Sequence, residues 1–408
     1  MEGCPTTLFL ASGELGIILS HMKSSITPFY YPTDKLIEKA KDCYLYDSEG
    51  KEYIDFESGV WCVNIGHNNP AIGDMIKSLN RAVIHHGYKF RNHYAEDLSL
   101  KLQQLIGIQN GSSVFLSSGS EAVNLSITLA QHLTGRRRIL KIDNSYLSAY
   151  GFGQISSDNE YTKTIQFNDY HSIDKIEFDD VSAFVIETGG ASVDVVKIPD
   201  VEFLNQIAEL ARKRGCLLIA DEVTTGMGRV GKWFGFQHYN ITPDIVVTGK
   251  ALGNGYPVSA VTINSVTSGR FKQNSFRYAQ SHQNDPLGCA IGLEVIKTIE
   301  DNNLILKGNK IGQYFIQQLE QIGGMYCDKI MEVRGRGLIL ALEFNSRVDG
   351  EKINNELFNN GFVIGFKNNT LRFLPPLTIM ASDIDKMIDM LDLILKGDKI
   401  KLKMTPGK

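Results

Sequence analysis

Two short apolar runs, each closed by one charged residue, constrain this chain more than any other feature. Leu217-Leu218-Ile219-Ala220 ends in Asp221, and Ile245-Val246-Val247-Thr248 leads through Gly249 to Lys250. An apolar run bounded by turn signals is the pattern of a strand buried on both faces. Strands of this kind form parallel sheets, and open α/β sheets take their ligands in the crevice outside the carboxyl ends. A carboxylate and an amine at the ends of two neighbouring strands would therefore face one crevice. The surrounding pattern agrees. Strand-like segments at Ser113–Leu116, Ile139–Ile142, Ala183–Ile186 and Val258–Ile263 alternate with helical spacing at Glu121–His132, Phe203–Ala211 and Leu287–Ile299. Such alternation predicts an α/β fold with a mostly parallel central sheet and crossover helices.

The chain has 408 residues, too many for one small domain. Residues 1–22 read as an N-terminal arm or an expression remnant. Residues 23–75 contain a hairpin pattern, with β-rich runs at Cys43–Asp47 and Glu52–Phe56 around a Gly50 turn, and Asn69-Pro70 opens a helix. Residues 76–304 carry the alternating pattern. Residues 305–408 alternate again in a smaller unit and end in an amphipathic helix, Asp383–Leu395. The first and last segments are expected to combine into one small α+β domain beside the large one. With Lys+Arg 42 against Asp+Glu 46, nothing points to nucleic acid; Arg136-Arg137-Arg138 reads as a solvated turn. No apolar stretch is long enough to span a membrane. Six scattered cysteines without a C-x-x-C pair argue against a metal site and suit the reducing cytosol.

Chemistry-bearing residues cluster where the strands should end. Ser117-Ser118-Gly119-Ser120-Glu121 lies between a strand and a helix. Gly119 permits close backbone approach, and a helix N-terminus with free N–H groups and hydroxyls suits an anion. The plainer alternative is a Ser118 N-cap with Glu121 closing a capping box. Tyr146 follows the next strand, where an aromatic ring could stack on a planar ligand, and Val223 could close the opposite face. Asp221 needs a cationic partner in a buried site: a protonated pyridine nitrogen, or else Arg229. Lys250, between an apolar strand and a Gly-rich turn, is placed for a lowered pKa and nucleophilic chemistry. Together these suggest pyridoxal phosphate, with Lys250 as the Schiff-base lysine and Asp221 keeping the ring nitrogen protonated.

At this point the chain resembles the class III aminotransferases, the group that includes ornithine, acetylornithine, 4-aminobutyrate and ω-amino acid aminotransferases. The matching stretches are Leu116–Asn124, Asp221–Arg229, Pro243–Gly253 and Leu371–Leu377, with Tyr53–Gly59 and Gly66-His67 near the N-terminus. The resemblance runs from about residue 30 to 395. It implies a fold-type I homodimer with pyridoxal 5'-phosphate at shared active sites between subunits. It implies Lys250 and Asp221 in the catalytic roles above, and Gly119 and Ser120 at the phosphate. Tyr146 and Val223 would flank the ring, with Glu187 beside the cofactor. Ser281, five residues before Pro286, stands where relatives place a Thr that reaches the partner's phosphate. Val60, Trp61 and Arg372 match substrate-pocket positions. The implied reaction moves an amino group from an amino acid or ω-amine donor to a keto acid acceptor in ping-pong half-reactions.

Departures from the family pattern bear on substrate. His-Gly after the aromatic is Leu147-Ser148 here. The acidic stretch is shortened to Glu187-Thr188-Gly189-Gly190-Ala191-Ser192 and lacks its second Glu. In ornithine and 4-aminobutyrate enzymes that Glu pairs with the arginine matched by Arg372. Its loss is expected to leave Arg372 available to a substrate carboxylate. A Gln near the cofactor's phenolic oxygen in some relatives is Thr224 here. Rival outcomes on the same cofactor are an aminomutase, decarboxylase or racemase, and a further rival is a non-catalytic protein of this fold. A dehydrogenase is excluded by the missing G-x-G-x-x-G turn.

Overall fold

A computed structural model of the chain describes residues 26–27, 33–79, 82–154, 159–189 and 196–397. The arm expected at residues 1–22 and the stretch 190–195 lie outside them.

The chain first makes a meander of β1 (Ile37–Lys41), β2 (Tyr44–Asp47) and β3 (Glu52–Asp55), all antiparallel. The β2–β3 pair is the expected hairpin around Gly50. Helix α1 (Pro70–Ser78) begins where Asn69-Pro70 predicts: the Asn69 side chain accepts from the Ala71 N–H, and proline sits in the first turn, where no donor is needed. Helix α2 (His93–Ile106) leads to β4 (Ser112–Leu116), and α3 (Gly119–Thr134) to β5 (Arg138–Ile142). Then come β6 (Thr162–Ile165), β7 (Val181–Glu187), helix α4 (Val201–Lys213), β8 (Leu217–Asp221), β9 (Ile245–Thr248) and β10 (Ser259–Ile263).

Strands β4 to β10 form one seven-stranded sheet in the order β4-β10-β9-β8-β7-β5-β6. The pairs β5–β6, β5–β7, β7–β8 and β8–β9 are parallel, whereas β10 runs antiparallel to both β9 and β4. The apolar runs are buried as their composition requires: every residue of β7, β8, β9 and β10 is buried. Two separate apolar clusters result. Leu125, Ile127, Val185, Ile219 and Val247 pack in one, and Leu140, Phe184, Ile186, Phe203 and Leu218 in the other. Alternate residues of the same strands thus serve the two faces.

After helices α5 (Pro286–Asp301) and α6 (Leu304–Met325), β11 (Ile330–Arg336) and β12 (Ile339–Phe344) pair antiparallel. Helix α7 (Arg347–Asn359) precedes β13 (Phe362–Val363), which joins the N-terminal meander by pairing parallel to β3. Strands β14 (Gly365–Lys367) and β15 (Thr370–Phe373) complete the β11–β12 sheet, and α8 (Ala381–Lys396) closes the described chain. The two chain ends therefore share a sheet. Arg136 departs from the solvated turn expected of it, donating to the carbonyls of Val181 at 3.0 Å and Arg214 at 2.9 Å. No described helix is long and apolar enough to cross a membrane.

Candidate active site

The carboxyl ends of the central sheet gather most of the residues singled out in the sequence. Asp221 is the last residue of β8, and Glu187, the last of β7, stands opposite it in the parallel register. Lys250 lies two residues past β9, the neighbour on the other side of β8. Gly119 follows β4 and Tyr146 follows β5. These elements end together because parallel strands in register end on one edge.

Asp221 is 4% exposed, and its carboxylate accepts the Val223 N–H at 3.0 Å. Burial raises its pKa, and the neighbouring Glu187 carboxylate raises it further. The alternative partner, Arg229, is engaged elsewhere. Its guanidinium donates to Ser58 Oγ at 2.9 Å and the Leu338 carbonyl at 3.3 Å, and to the Pro375 carbonyl and Asn64 Oδ1. Lys250 is partly buried and donates from Nζ to Thr224 Oγ1 at 2.7 Å. Its pKa is lowered, chiefly by desolvation, with Asp221 pulling the other way. Its backbone is left-handed, φ +43°. The Thr224 hydroxyl thus holds the amine.

Gly119 is small for a reason the sequence did not suggest. A Cβ there would lie 2.7 Å from Val223 Cγ1, so Val223 packs directly on the turn after β4. Ser118 does cap α3, accepting the Glu121 N–H at 3.2 Å, but the expected capping box is not closed: the Glu121 carboxylate accepts the Ser117 N–H at 3.2 Å instead of that of Ser118. Ser120 is separate from the cap; its Oγ accepts the Ala149 N–H at 2.9 Å, leaving its own hydrogen to donate. Asn124 ties this first turn to the loop after β5, donating to the Tyr150 carbonyl at 2.9 Å. Tyr146 is 41% exposed at the rim, and its N–H donates to Glu187 Oε2 at 3.2 Å.

A second wall comes from the chain's N-terminal part. Ser58, Gly59, Val60 and Trp61 are four consecutive left-handed residues, with φ of +43°, +59°, +56° and +68°. Such backbone is costly for Val and Trp and persists only where surroundings over-determine it. Here Asp55 accepts the N–H groups of Glu57 at 2.8 Å and Gly59 at 2.7 Å, and His67 Nε2 lies 2.7 Å from the same carboxylate. Ser58 Oγ donates to the Leu374 carbonyl at 2.7 Å. The turn buries Trp61 beside Lys250, whose Nζ lies 4.4 Å from the indole centroid, while Val60 is left 61% exposed. Arg372, in β15, lies over the same indole at 5.1 Å.

Arg372 differs from expectation. Its Nη2 lies 3.6 Å from Glu57 Oε1, so a carboxylate from another part of the chain stands where none was expected. In the sequence Glu57 is only one member of the Tyr53–Gly59 pattern. The positions are too far apart along the chain for local spacing to join them. Two further buried groups escaped notice. Glu222 accepts the N–H groups of Gly235 at 2.6 Å and Phe236 at 2.8 Å, fixing the turn beyond β8. Lys141, fully buried in β5, donates to the Ser145 carbonyl at 2.9 Å just before Tyr146. Ser281 is exposed on the segment leading to α5.

One more group of ligand-type side chains stands together outside this site. Asp285 bridges His85 Nδ1 at 2.6 Å and His282 Nδ1 at 2.5 Å. Both imidazoles and both carboxylate oxygens are engaged with one another. The expectation of no metal ligands did not consider this set, because His85 and Asp285 are 200 positions apart.

The family model described as Aminotransferase class-III matches residues 29–148 and 148–395. An acetylornithine aminotransferase of Archaeoglobus fulgidus is 27% identical over 384 residues, covering 90% of this chain and 98% of the relative. That of Methanocaldococcus jannaschii is 31% identical over 387 residues, covering 88% and 92%. Among solved structures, the acetylornithine aminotransferase of Elizabethkingia anophelis superposes with a TM-score of 0.81 at 26% identity, covering 94% of this chain and 98% of that one.

Proposed function

The chain belongs to the class III aminotransferases and is a pyridoxal-phosphate-dependent aminotransferase; from that premise we propose which of its residues carry the reaction. The single observation behind the assignment is the pairing of Lys250 and Asp221 at the ends of adjacent parallel strands, with burial lowering one pKa and raising the other. These residues fit the cofactor. A buried carboxylate whose ionised form is disfavoured by burial and by Glu187 calls for a cation, and a protonated ring nitrogen supplies one. The first turn of α3 offers N–H groups, the Ser120 hydroxyl and a favourable dipole to the phosphate. Tyr146 and Val223 would bracket the ring, with Glu187 at its edge.

When bound, pyridoxal phosphate supplies an electron-withdrawing ring that stabilises negative charge on the substrate carbon losing its proton. Lys250 would hold the cofactor's aldehyde carbon until an amino donor replaces it. Its lowered pKa favours the free amine over that of a surface lysine, which suits Nζ to accept and return a proton. Thr224 Oγ1 restrains that amine, and the Trp61 indole limits where it can swing. Asp221, held by the Val223 N–H, keeps the ring nitrogen charged. Val60 and Trp61 shape the pocket wall, and Arg372 receives a substrate carboxylate.

The active unit is a homodimer in which Ser281 of each copy reaches the other's phosphate; its exposure here suits that role. The five described cysteines are free, which suits the cytosol.

Absorbance titration of the loaded protein with glutamate, ornithine, lysine, 4-aminobutyrate, diamines and alanine tests the assignment. At least one donor should bleach the yellow form, and Lys250→Ala should abolish both the yellow form and turnover. A yellow form independent of Lys250 would refute the role given to that residue. A yellow form that no donor bleaches would favour the decarboxylase, racemase or binding-protein readings.

A further inference from the structure

One peptide bond at the carboxyl edge of the central sheet is held by two opposite charges. The carbonyl of the Ser145–Tyr146 peptide accepts from Lys141 Nζ at 2.9 Å, and the N–H of the same peptide donates to Glu187 Oε2 at 3.2 Å. Both charged groups come from inside the sheet: Lys141 is fully buried and Glu187 is 5% exposed. They share one face of it. Ile139, two residues before Lys141, and Val185, two before Glu187, pack in the same apolar cluster. Lys141 stands opposite Val185 in the parallel register, so Glu187 lies two residues further along, about 7 Å, within the span of a lysine side chain. Burial pulls the pKa of Lys141 down, while the Glu187 and Asp143 carboxylates hold it up. A buried ammonium is costly unless it is paired and hydrogen-bonded, and among the described residues this one donates to the Ser145 carbonyl.

The two charges act on the residue that faces the ligand crevice. A peptide unit is a dipole with its negative end at oxygen, so an ammonium at the carbonyl and a carboxylate at the N–H favour the same orientation and oppose a flip. Hydrogen bonds to charged groups are also about twice as strong as neutral ones. The preceding turn is tight: the Ser145 N–H donates to the Ile142 carbonyl at 3.2 Å, and Asn144 is left-handed at φ +59°. Tyr146 has no polar anchor of its own, since its hydroxyl meets no hydrogen-bond partner among the described residues. The direction of its ring is therefore set by the peptide that carries it.

We propose that Lys141 is a positioning residue of this enzyme: together with Glu187 it clamps the Ser145–Tyr146 peptide and so sets the angle at which the Tyr146 ring meets the cofactor. This rests on the stacking role given to Tyr146 above. Lys141 itself touches neither cofactor nor substrate; it acts through the tyrosine.

Lys141→Met keeps the bulk of the stem and removes the charge and the donor. Equilibrium dialysis of the cofactor-loaded protein should show cofactor affinity reduced about ten-fold, the scale of one misplaced aromatic contact. The circular dichroism of the yellow band, which reports the asymmetric surroundings of the bound ring, should weaken per bound cofactor. Tyr146→Leu should weaken cofactor binding to a similar degree. Adding Lys141→Met to Tyr146→Leu should then change affinity by no more than about two-fold, because the ring that Lys141 positions is already gone. A lysine that served the fold alone would weaken binding equally in both backgrounds and leave the visible signal per bound cofactor unaltered. Where Lys141→Met does not fold, Lys141→Gln, which retains an N–H donor, should give the same pattern. Unaltered affinity and visible signal, or equal losses in both backgrounds, overturns the proposal. Cofactor binding that survives Tyr146→Leu removes the stacking role and this proposal with it. Binding that is weakened by Tyr146→Leu but not by the Lys141 change removes this proposal alone.

Discussion

Asp221 carries a heavy electrostatic cost for the sake of the site. Its carboxylate is almost inaccessible, accepts an N–H from Val223, and stands beside Glu187. Its folded pKa lies above the ordinary value near 3.8. The sign follows: the folded state binds this proton more tightly than the unfolded state. The contribution of Asp221 to stability is therefore complete below about pH 4 and is lost as pH rises toward the folded pKa. A bound cation at the ring nitrogen reverses that cost. Asp221→Asn should raise the unfolding temperature of the cofactor-free protein at pH 8, while weakening cofactor retention and reducing turnover by about 100-fold or more. Thermal scans of both proteins, with and without cofactor, measure the two effects. A cofactor-free Asn variant less stable at pH 8 than the unaltered protein would contradict the electrostatic account. Lys250 presents the opposite sign: burial lowers its pKa, so its amine is easier to deprotonate than a surface lysine.

At the scale of elements, the site depends on joining strand ends to a turn from the other part of the chain. Arg229 makes that join. It reaches Ser58 and Asn64 on one side and the carbonyls of Leu338 and Pro375 on the other, while itself fully buried. Arg229→Met should destabilise the protein by roughly 3 kcal/mol, because it orphans several buried acceptors. Lysine should not rescue it, since one ammonium cannot reproduce the planar fork. Urea unfolding followed by tryptophan fluorescence checks this; an unchanged midpoint would show that the join is dispensable. Elements that bury both faces were legible in the sequence. β7, β8 and β9 are continuous apolar runs, and α1 and α3 announce themselves by Asn69-Pro70 and Ser118. Others were not legible. β1 is an exposed edge strand rich in Lys and Glu, as edge strands tend to be, and so lacks an apolar signature. β13 and β14 have two and three residues, too few for any period. The antiparallel course of β10 was also hidden, because its composition is that of the mutually parallel strands β7 to β9.

At the scale of the whole molecule, the division of legible from illegible follows distance along the chain. Asp221, Lys250, Gly119 and Tyr146 could be grouped beforehand because one rule, that parallel strands end together, places them on one edge, whereas Glu187 was expected there only through the resemblance. No such rule joins Glu57 to Arg372 or His85 to Asp285, whose meeting depends on how separate sheets and loops pack. The parallel pairing of β13 with β3 shows the same limit: the sequence suggested that the two ends combine, but not through which strands.

The chemistry assigned to Lys250 is tested most directly by borohydride reduction of the cofactor-loaded protein followed by peptide mapping. Reduction fixes the cofactor to whichever lysine holds it. The account predicts a phosphopyridoxyl mass on the peptide containing Lys250, at close to one label per chain. Label on another lysine, Lys141 included, or no label on a yellow protein, would contradict it.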